Sequence, residues 1–193
     1  MIRMATAADI PAMLEIYAPY VLNTTYTFEY TVPTQEEFTK RFFSITAQFP
    51  WLVWEERGTV LGYAYGSLPF ERAAYAWSGE VSIYLAPQAH RKGIGRMLYA
   101  ALEAIMKEQG YRTLYAIITE ENTGSVAFHQ RLGYHTQAVF PNCGMKFQRW
   151  LGVAWMEKRF DFVDIPSHFP ISCKSLVEND RKFQDILANL SLS

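Results

Sequence analysis

With 193 residues, half of them hydrophobic, the chain is long enough for one domain with a full core. A formal net charge of -1 argues against a generic nucleic-acid binder, and no run approaches the ~20 apolar residues of a membrane span. The two cysteines, Cys143 and Cys173, are too few for a disulfide scaffold and lack metal-ligand spacing; with no basic-then-apolar leader, a cytoplasmic protein without a metal is expected.

The pattern predicts alternating strands and helices. Ile2 to Thr6 reads as a strand, and Thr6 or Asp9 caps a helix to about Tyr20, with Ile10, Met13, Leu14 and Tyr17 on one face. Asn23 to Val32 reads as a loop. Thr34 and Glu37 form a capping-box pattern that opens a second helix through Phe38, Phe42 and Phe43. Strands at Trp51 to Glu56 and Val60 to Leu68 are joined at Arg57-Gly58. Glu80 to Leu85 is the next strand. A long helix follows from Ile94, with Met97, Leu98, Ala101, Leu102, Ile105 and Met106 at helical spacing and Gly110 as its stop. Then come a strand at Thr113 to Thr119, a helix at Ser125 to Leu132 ended by Gly133, and strands near Tyr134 to Phe140 and Leu151 to Phe160. Residues 161–193 break the pattern: a proline-bearing connector, then a helix from Ser175 to Leu190 with Phe183, Ile186, Leu187 and Leu190 on one face. Ser175 and Glu178 suggest a capping box for it. This helix either docks on its own domain or contacts a second copy.

Chemistry concentrates between Glu80 and Arg96. The strand runs directly into His90-Arg91-Lys92-Gly93-Ile94-Gly95 and the helix start. The first N–H groups of a helix lack internal partners and carry partial positive charge. Gly93 and Gly95 clear side chains from a backbone that would approach an anion, and Arg91, Lys92 and Arg96 add charge. A solvated basic turn is the alternative. A Walker loop is excluded because Gly93 is not followed by Lys-Ser or Lys-Thr at the required spacing. A dinucleotide fingerprint needs a third glycine where Leu98 stands.

The spacing resembles the acyl-CoA loop of the GNAT superfamily of N-acetyltransferases, usually Arg/Gln-x-x-Gly-x-Gly/Ala, with His90 departing at the first position. Asn122-Thr123-Gly124-Ser125-Val126-Ala127-Phe128-His129-Gln130-Arg131-Leu132-Gly133-Tyr134 resembles a second superfamily helix, with His129 where many members have Tyr. Thr27-Phe28-Glu29, Arg72-Ala73-Ala74-Tyr75, Trp77-Ser78-Gly79-Glu80, Ser82-Ile83-Tyr84, His129 and Gly144-Met145-Lys146 are similar to the phosphinothricin and methionine-sulfoximine acetyltransferase branch. The resemblance spans residues 1–160, so these form the expected catalytic domain and 161–193 an appended segment. The later family segment usually reads Gly-Phe-Lys-x-Gly-Arg-Trp-x-Asp. Here Gln148 replaces the turn glycine and Gly152 the Asp, departures that bear on the hairpin shape and on the acceptor.

The resemblance implies an α/β (α+β) fold with a mixed, mostly antiparallel sheet splayed at the acyl-CoA site and flanked by helices. It also implies acetyl-CoA as co-substrate, a small amine acceptor and a homodimer. In thioester aminolysis the amine must lose a proton, and Glu80 at the strand entry is the candidate general base; a solvated strand end is its plain alternative. A strand N–H near Ile83 or Tyr84 is the candidate oxyanion donor, and the strand through Leu85 can pair with the pantetheine arm. His129 is either the acid that protonates the leaving sulfur or a pocket wall. Asn122 and Ser125 are candidate pantetheine contacts, Asn122 alternatively a helix cap. On the acceptor side stand Phe28, Glu29 as an ammonium partner, Arg72 as a fork for a carboxylate, Tyr75 and Ser78. Two rival readings remain: peptide or protein N-terminal acetylation, which needs an open groove, and a non-catalytic CoA-binding sensor.

Overall fold

The computed structural model describes residues 1–160, 164–179 and 186. Seven strands form one sheet: β1 (Ile2–Met4), β2 (Trp51–Glu56), β3 (Thr59–Ser67), β4 (Ser78–Leu85), β5 (Thr113–Thr119), β6 (His135–Lys146) and β7 (Arg149–Arg159). Their order is β1-β2-β3-β4-β5-β7-β6, and every neighbouring pair is antiparallel except β4–β5. The helices are α1 (Ile10–Asn23), α2 (Gln35–Thr46), α3 (Ile94–Gln109), α4 (Thr123–Arg131) and α5 (Cys173–Asn179).

Strand alternation sorts the core into two layers. Trp51, Val53 and Tyr63 face α1 and α2, meeting Ile10, Met13, Tyr17, Phe38 and Phe42. Leu52, Ala64, Val81, Leu114, Ala116 and Ile118 face the other way, against Leu98, Leu102, Ile105 and Met106 of α3.

The helix ends show where local chemistry decides. Thr34 caps α2, its hydroxyl accepting Glu37 N–H at 3.2 Å, and Glu37 returns the bond to Thr34 N–H at 2.7 Å. At α1 the capping falls one turn earlier than Asp9: Thr6 opens a 3-10 turn at Ala7–Asp9 and forms a capping box with Asp9. Asp9 stands at the N-cap position without capping, because its carboxylate accepts Thr6 N–H and the Arg3 guanidinium instead. Gly110 ends α3 at φ 101°, as its place in the pattern requires.

Two regions differ from the sequence expectation. The last two strands are longer than predicted and form one hairpin, closing at Lys146↔Arg149. Its turn is Phe147-Gln148, with φ of 50° and 60°, the handedness that two-residue hairpins favour. The missing glycine therefore leaves the hairpin intact; a non-glycine residue in this region costs about 1–2 kcal/mol. In the tail the helix begins at Cys173, and Ser172 Oγ, not a Ser175–Glu178 box, accepts Ser175 N–H at 3.1 Å. Cys173 and Leu176 are buried in the α3 core layer, so this turn docks on its own domain. Phe183, Leu187 and Leu190 lie outside the described residues.

Candidate active site

The parallel pair β4–β5 holds for only three rungs: Ser78↔Thr113, Gly79↔Leu114 and Glu80↔Tyr115. β4 then continues to Leu85 and β5 to Thr119 with no pairing between them. The strands diverge, and the cleft between them is lined by Val81, Ile83, Ala116 and Ile118, with Tyr20 and Tyr26 at its mouth and Tyr99, Asn122, Ser125 and His129 along its wall.

Alternation of backbone groups makes this cleft a pairing edge. Ala86 N–H bonds Leu61 O on β3 at 2.9 Å. Leu85, Ile83 and Val81 therefore turn their N–H and C=O groups away from β3 and toward the cleft. Leu85 N–H accordingly finds Tyr20 Oη, at 3.3 Å. Of the two candidate oxyanion donors, Ile83 directs its N–H into the cleft and Tyr84 into the sheet.

At the wide end stands the start of α3. Gly93 is left-handed (φ 80°, ψ -8°) and no side chain caps this helix. The first helical bond is Met97 N–H to Gly93 O at 3.1 Å, which leaves the N–H groups of Ile94, Gly95 and Arg96 without intrahelical acceptors. α2 and α4 are capped by Thr34 and Asn122, so the open end of α3 stands apart from theirs. Arg91, Lys92 and Arg96 are exposed around it. Gly95 is buried, and a β-carbon there would stand 3.4 Å from Ile83 and Phe128. Its small size thus also brings the helix close to β4. His90 departs from its expected place. Its Nε2 lies 3.2 Å from Leu85 O and 3.3 Å from Tyr20 Oη, so the ring folds back onto the strand end.

At the narrow end stands Glu80, on the last rung. Burial alone pushes its carboxyl above the usual carboxylate range. Among the described residues no side chain donates a hydrogen bond to it. It shares a sheet face with Tyr65 and Tyr115, opposite Val81 and α3.

His129 is 2 % exposed, and burial lowers its pKa to about 4. Its Nδ1 lies 2.8 Å from the Ser125 carbonyl oxygen, which only accepts, so Nδ1 carries the proton. Nε2 must then accept from Tyr99 Oη at 2.8 Å. Burial also holds the Tyr99 hydroxyl well above its ordinary pKa. The neutral imidazole lines the cleft with both nitrogens engaged, Nδ1–H at the Ser125 carbonyl and Nε2 at Tyr99 Oη. Asn122 caps α4, its Oδ1 accepting Ser125 N–H at 3.1 Å, and it lines the cleft as well.

The acceptor-side residues fall into two groups. Phe28 packs against Gly144, where an added β-carbon would overlap the ring. Lys146 Nζ donates to Thr27 O at 2.7 Å and Tyr30 Oη to Met145 O, so the 23–34 loop is fastened to the hairpin tip. Glu29 pairs through Oε1 with Arg41 at 2.6 Å. Arg41 in turn lies near Tyr17 and Tyr65. The second group is Arg72, Tyr75 and Ser78. Arg72 is exposed before a 3-10 turn at Ala73–Tyr75. Tyr75 packs on Phe70 (ring centroids 4.7 Å), and Phe70 packs on Tyr115, the rung partner of Glu80. Tyr20, Tyr26, Arg41, Tyr99 and Lys146 went unassigned in the sequence. Only Lys146 stood in a family motif.

A mostly antiparallel sheet, split beyond one short parallel pair and opening onto an uncapped glycine-led helix, defines an acyl-CoA-type transferase architecture. The chain belongs to the GNAT acetyltransferase family: residues 2–155 match the model for the acetyltransferase (GNAT) domain. It is similar to the phosphinothricin N-acetyltransferase of Streptomyces viridochromogenes, with 33% identity over 83% of this chain and 87% of that one. It is also similar to the L-methionine sulfoximine/L-methionine sulfone acetyltransferase of Pseudomonas aeruginosa, at 36% identity over 83% and 94%. A phosphinothricin acetyltransferase from Sinorhizobium meliloti, solved with acetyl-CoA, superposes with a TM-score of 0.79 at 40% identity, over 82% of this chain and 87% of that one.

Proposed function

We propose that the protein is an acetyl-CoA-dependent N-acetyltransferase of the amine of a small amino-acid-like acceptor, of the phosphinothricin or methionine sulfoximine type, with Glu80 as general base. The observation that carries this is the Glu80 carboxylate, half-buried at the closed end of the cleft and, among the described residues, without a side-chain hydrogen-bond donor. The residues fit acetyl-CoA. The open N–H groups of α3 with Arg91, Lys92 and Arg96 suit the pyrophosphate, and the turned-out backbone of Val81, Ile83 and Leu85 suits the amide-bearing arm.

An acetyl-CoA held by the α3 end and paired along Ile83 and Leu85 would bring its thioester toward the last rung, where Glu80 stands. Glu80 takes a proton from the attacking amine, directly or through one water. Ile83 N–H stabilises the oxygen of the tetrahedral adduct as the carbonyl π-bond opens. The adduct collapses, the C–S bond breaks, and the thiolate leaves with the amide formed. A carboxylate on the acceptor is held by Arg72, whose fork is exposed at the start of the turn that leads into β4.

The neighbours named for amino-acid acceptors support this class, and the tied-down 23–34 loop favours a small pocket over an open groove. A second copy is proposed along the edge strand β6 and its turn into β7, where Val139, Phe140, Met145, Phe147 and Trp150 are 47–64% exposed. Sedimentation of the protein checks the dimer. A cytoplasmic setting, where thiols stay reduced, suits the free Cys143 and Cys173.

The test is an acceptor screen with acetyl-CoA, read as thiol release. Arg72→Ala is expected to lower kcat/KM for methionine sulfoximine about tenfold to a hundredfold, the equivalent of one charge-assisted pair, and to spare an amine lacking a carboxylate. Activity on peptide amines alone would overturn the acceptor class.

A further inference from the structure

The family match ends at residue 155, yet the chain continues across the back of the domain. Residues 164–176 are fastened at several points. Asp164 lies 3.7 Å from the Arg112 guanidinium. Gln109 Nε2 donates to Ile171 O and Gln48 O, each at 2.8 Å, and Ile171 N–H returns to Gln109 O at 2.9 Å. Cys173 N–H bonds Gln48 O at 2.9 Å, and Cys173 and Leu176 sink into the core.

One contact of this strap reaches the catalytic strand. Phe169 stacks on Trp77 with ring centroids 5.1 Å apart and planes at 17°, and the Trp77 indole N–H donates to His168 O at 3.1 Å. The backbone of the same residue holds the start of β5: Trp77 O accepts Arg112 N–H at 2.8 Å and Thr113 N–H at 3.2 Å. Thr113 is the rung partner of Ser78, and two rungs on stands Glu80. Trp77 also lies within the Arg72–Ser78 acceptor segment, directly before Ser78. It is thus the hinge between strap, closed end of the cleft and acceptor side.

We propose that residues 164–176 form a brace in cis that positions the closed end of the cleft through Trp77, so that Glu80 and the acceptor meet the thioester in register. Phe169 is a positioning residue in this scheme. It is 59% exposed, so its loss leaves the core intact. Catalysis is sensitive to such placement, since displacement by about 1 Å far from the chemistry can cost about a hundredfold in rate. The open end of α3 lies at the other end of the cleft, so cofactor affinity should not feel the brace.

The proposal rests on the acetyltransferase reading for its kinetic arm but has a second arm that needs no activity. In Phe169→Ala, kcat/KM for the acceptor is expected to fall about tenfold, a partial misplacement on that scale. The acetyl-CoA Kd by calorimetry should change less than about twofold, and Phe169→Tyr, which keeps a stacking ring, should recover activity. Amide hydrogen exchange at Arg112 and Thr113, whose N–H groups bond Trp77 O, should quicken at least about fivefold in the Ala variant only. Unchanged exchange there overturns the brace. So does a loss shared equally by the Ala and Tyr variants, or one matched by lost acetyl-CoA affinity. Arg72→Ala, run in parallel, separates the readings. If it alone loses acceptor turnover, the brace fails and the acceptor reading stands. If Phe169→Ala alone loses turnover, the brace stands and the role of Arg72 fails.

Discussion

Phe28 lies so close against Gly144 that a β-carbon added at residue 144 would overlap its ring. The overlap involves three ring carbons, not the far end of a flexible chain, so the ring itself must move. The loop around it is held on both sides, by Lys146 at Thr27 O and by the Glu29–Arg41 pair. Gly144→Ala should therefore shift Phe28 and, with it, the proposed acceptor side. We expect the acceptor KM to rise about tenfold, by the same placement argument, with acetyl-CoA affinity unchanged. Phe28→Ala in the same background should relieve the shift and remove any loss of stability. Kinetics and thermal melts of the three variants check this, and an unchanged KM in Gly144→Ala would detach Phe28 from the pocket.

Glu80 should set activity against stability. Its folded pKa is raised, so the folded protein holds that proton more tightly than the unfolded chain. Its contribution to stability is then full below the ordinary carboxylate range and is lost as pH rises through the raised value. Glu80→Gln never ionises. It should melt higher than wild type at neutral pH, with the advantage fading in acid. Its turnover should fall about a hundredfold or more, the scale of a lost general base. In wild type, kcat/KM should rise with pH through the Glu80 ionisation. A fully active Gln variant, or one with no stability gain at pH 7, would make Glu80 a mere strand end.

His129 gives a stability signature of the opposite sign. Folded, it titrates near 4; unfolded, near its ordinary 6.5. Between these values the unfolded chain binds the extra proton, so stability rises with pH through that window and is complete above it. The loss from pH 6.5 down to 4 is on the order of 3 kcal/mol. Urea midpoints measured from pH 4 to 7 should slope accordingly, and less steeply in His129→Gln. Equal slopes would mean that His129 is not buried neutral.

Much of the scaffold was legible because its causes are local. The Thr34–Glu37 box, the α3 periodicity and Gly110 each act within a few residues, and each reads directly from the chain. The split of β4 from β5 came through a glycine pattern and a family resemblance, not from periodicity. What escaped depends on distant partners. Glu29 looked free because Arg41, its partner, comes from α2. Tyr99 looked like another helix residue until the fold placed His129 beside it. Gly152 looked like a missing carboxylate. In the fold, the Glu120 side chain occupies the space that a side chain at 152 would fill, so the two positions are read together or not at all. The hairpin length escaped because Phe147-Gln148 carries no turn signal despite its positive φ.

The Tyr99–His129 pair leads to a statement about the leaving group. The hydroxyl is held well above its ordinary pKa and the imidazole is held to about 4, so near neutral pH the first is a weaker acid than a free phenol and the second is neutral. A CoA thiol resembles a cysteine, with a pKa of about 8.5, and leaves tolerably as the thiolate. We therefore expect turnover to proceed without acid catalysis by this pair. Tyr99→Phe and His129→Gln should each keep kcat within about tenfold of wild type, short of the roughly hundredfold scale of a lost general acid. The kcat/KM profile should carry rising limbs from Glu80 and the amine, and no falling limb that belongs to His129. Thiol-release assays across pH 6 to 9 decide the matter. A hundredfold loss in either variant, or a falling limb abolished by His129→Gln, would restore the pair as the acid.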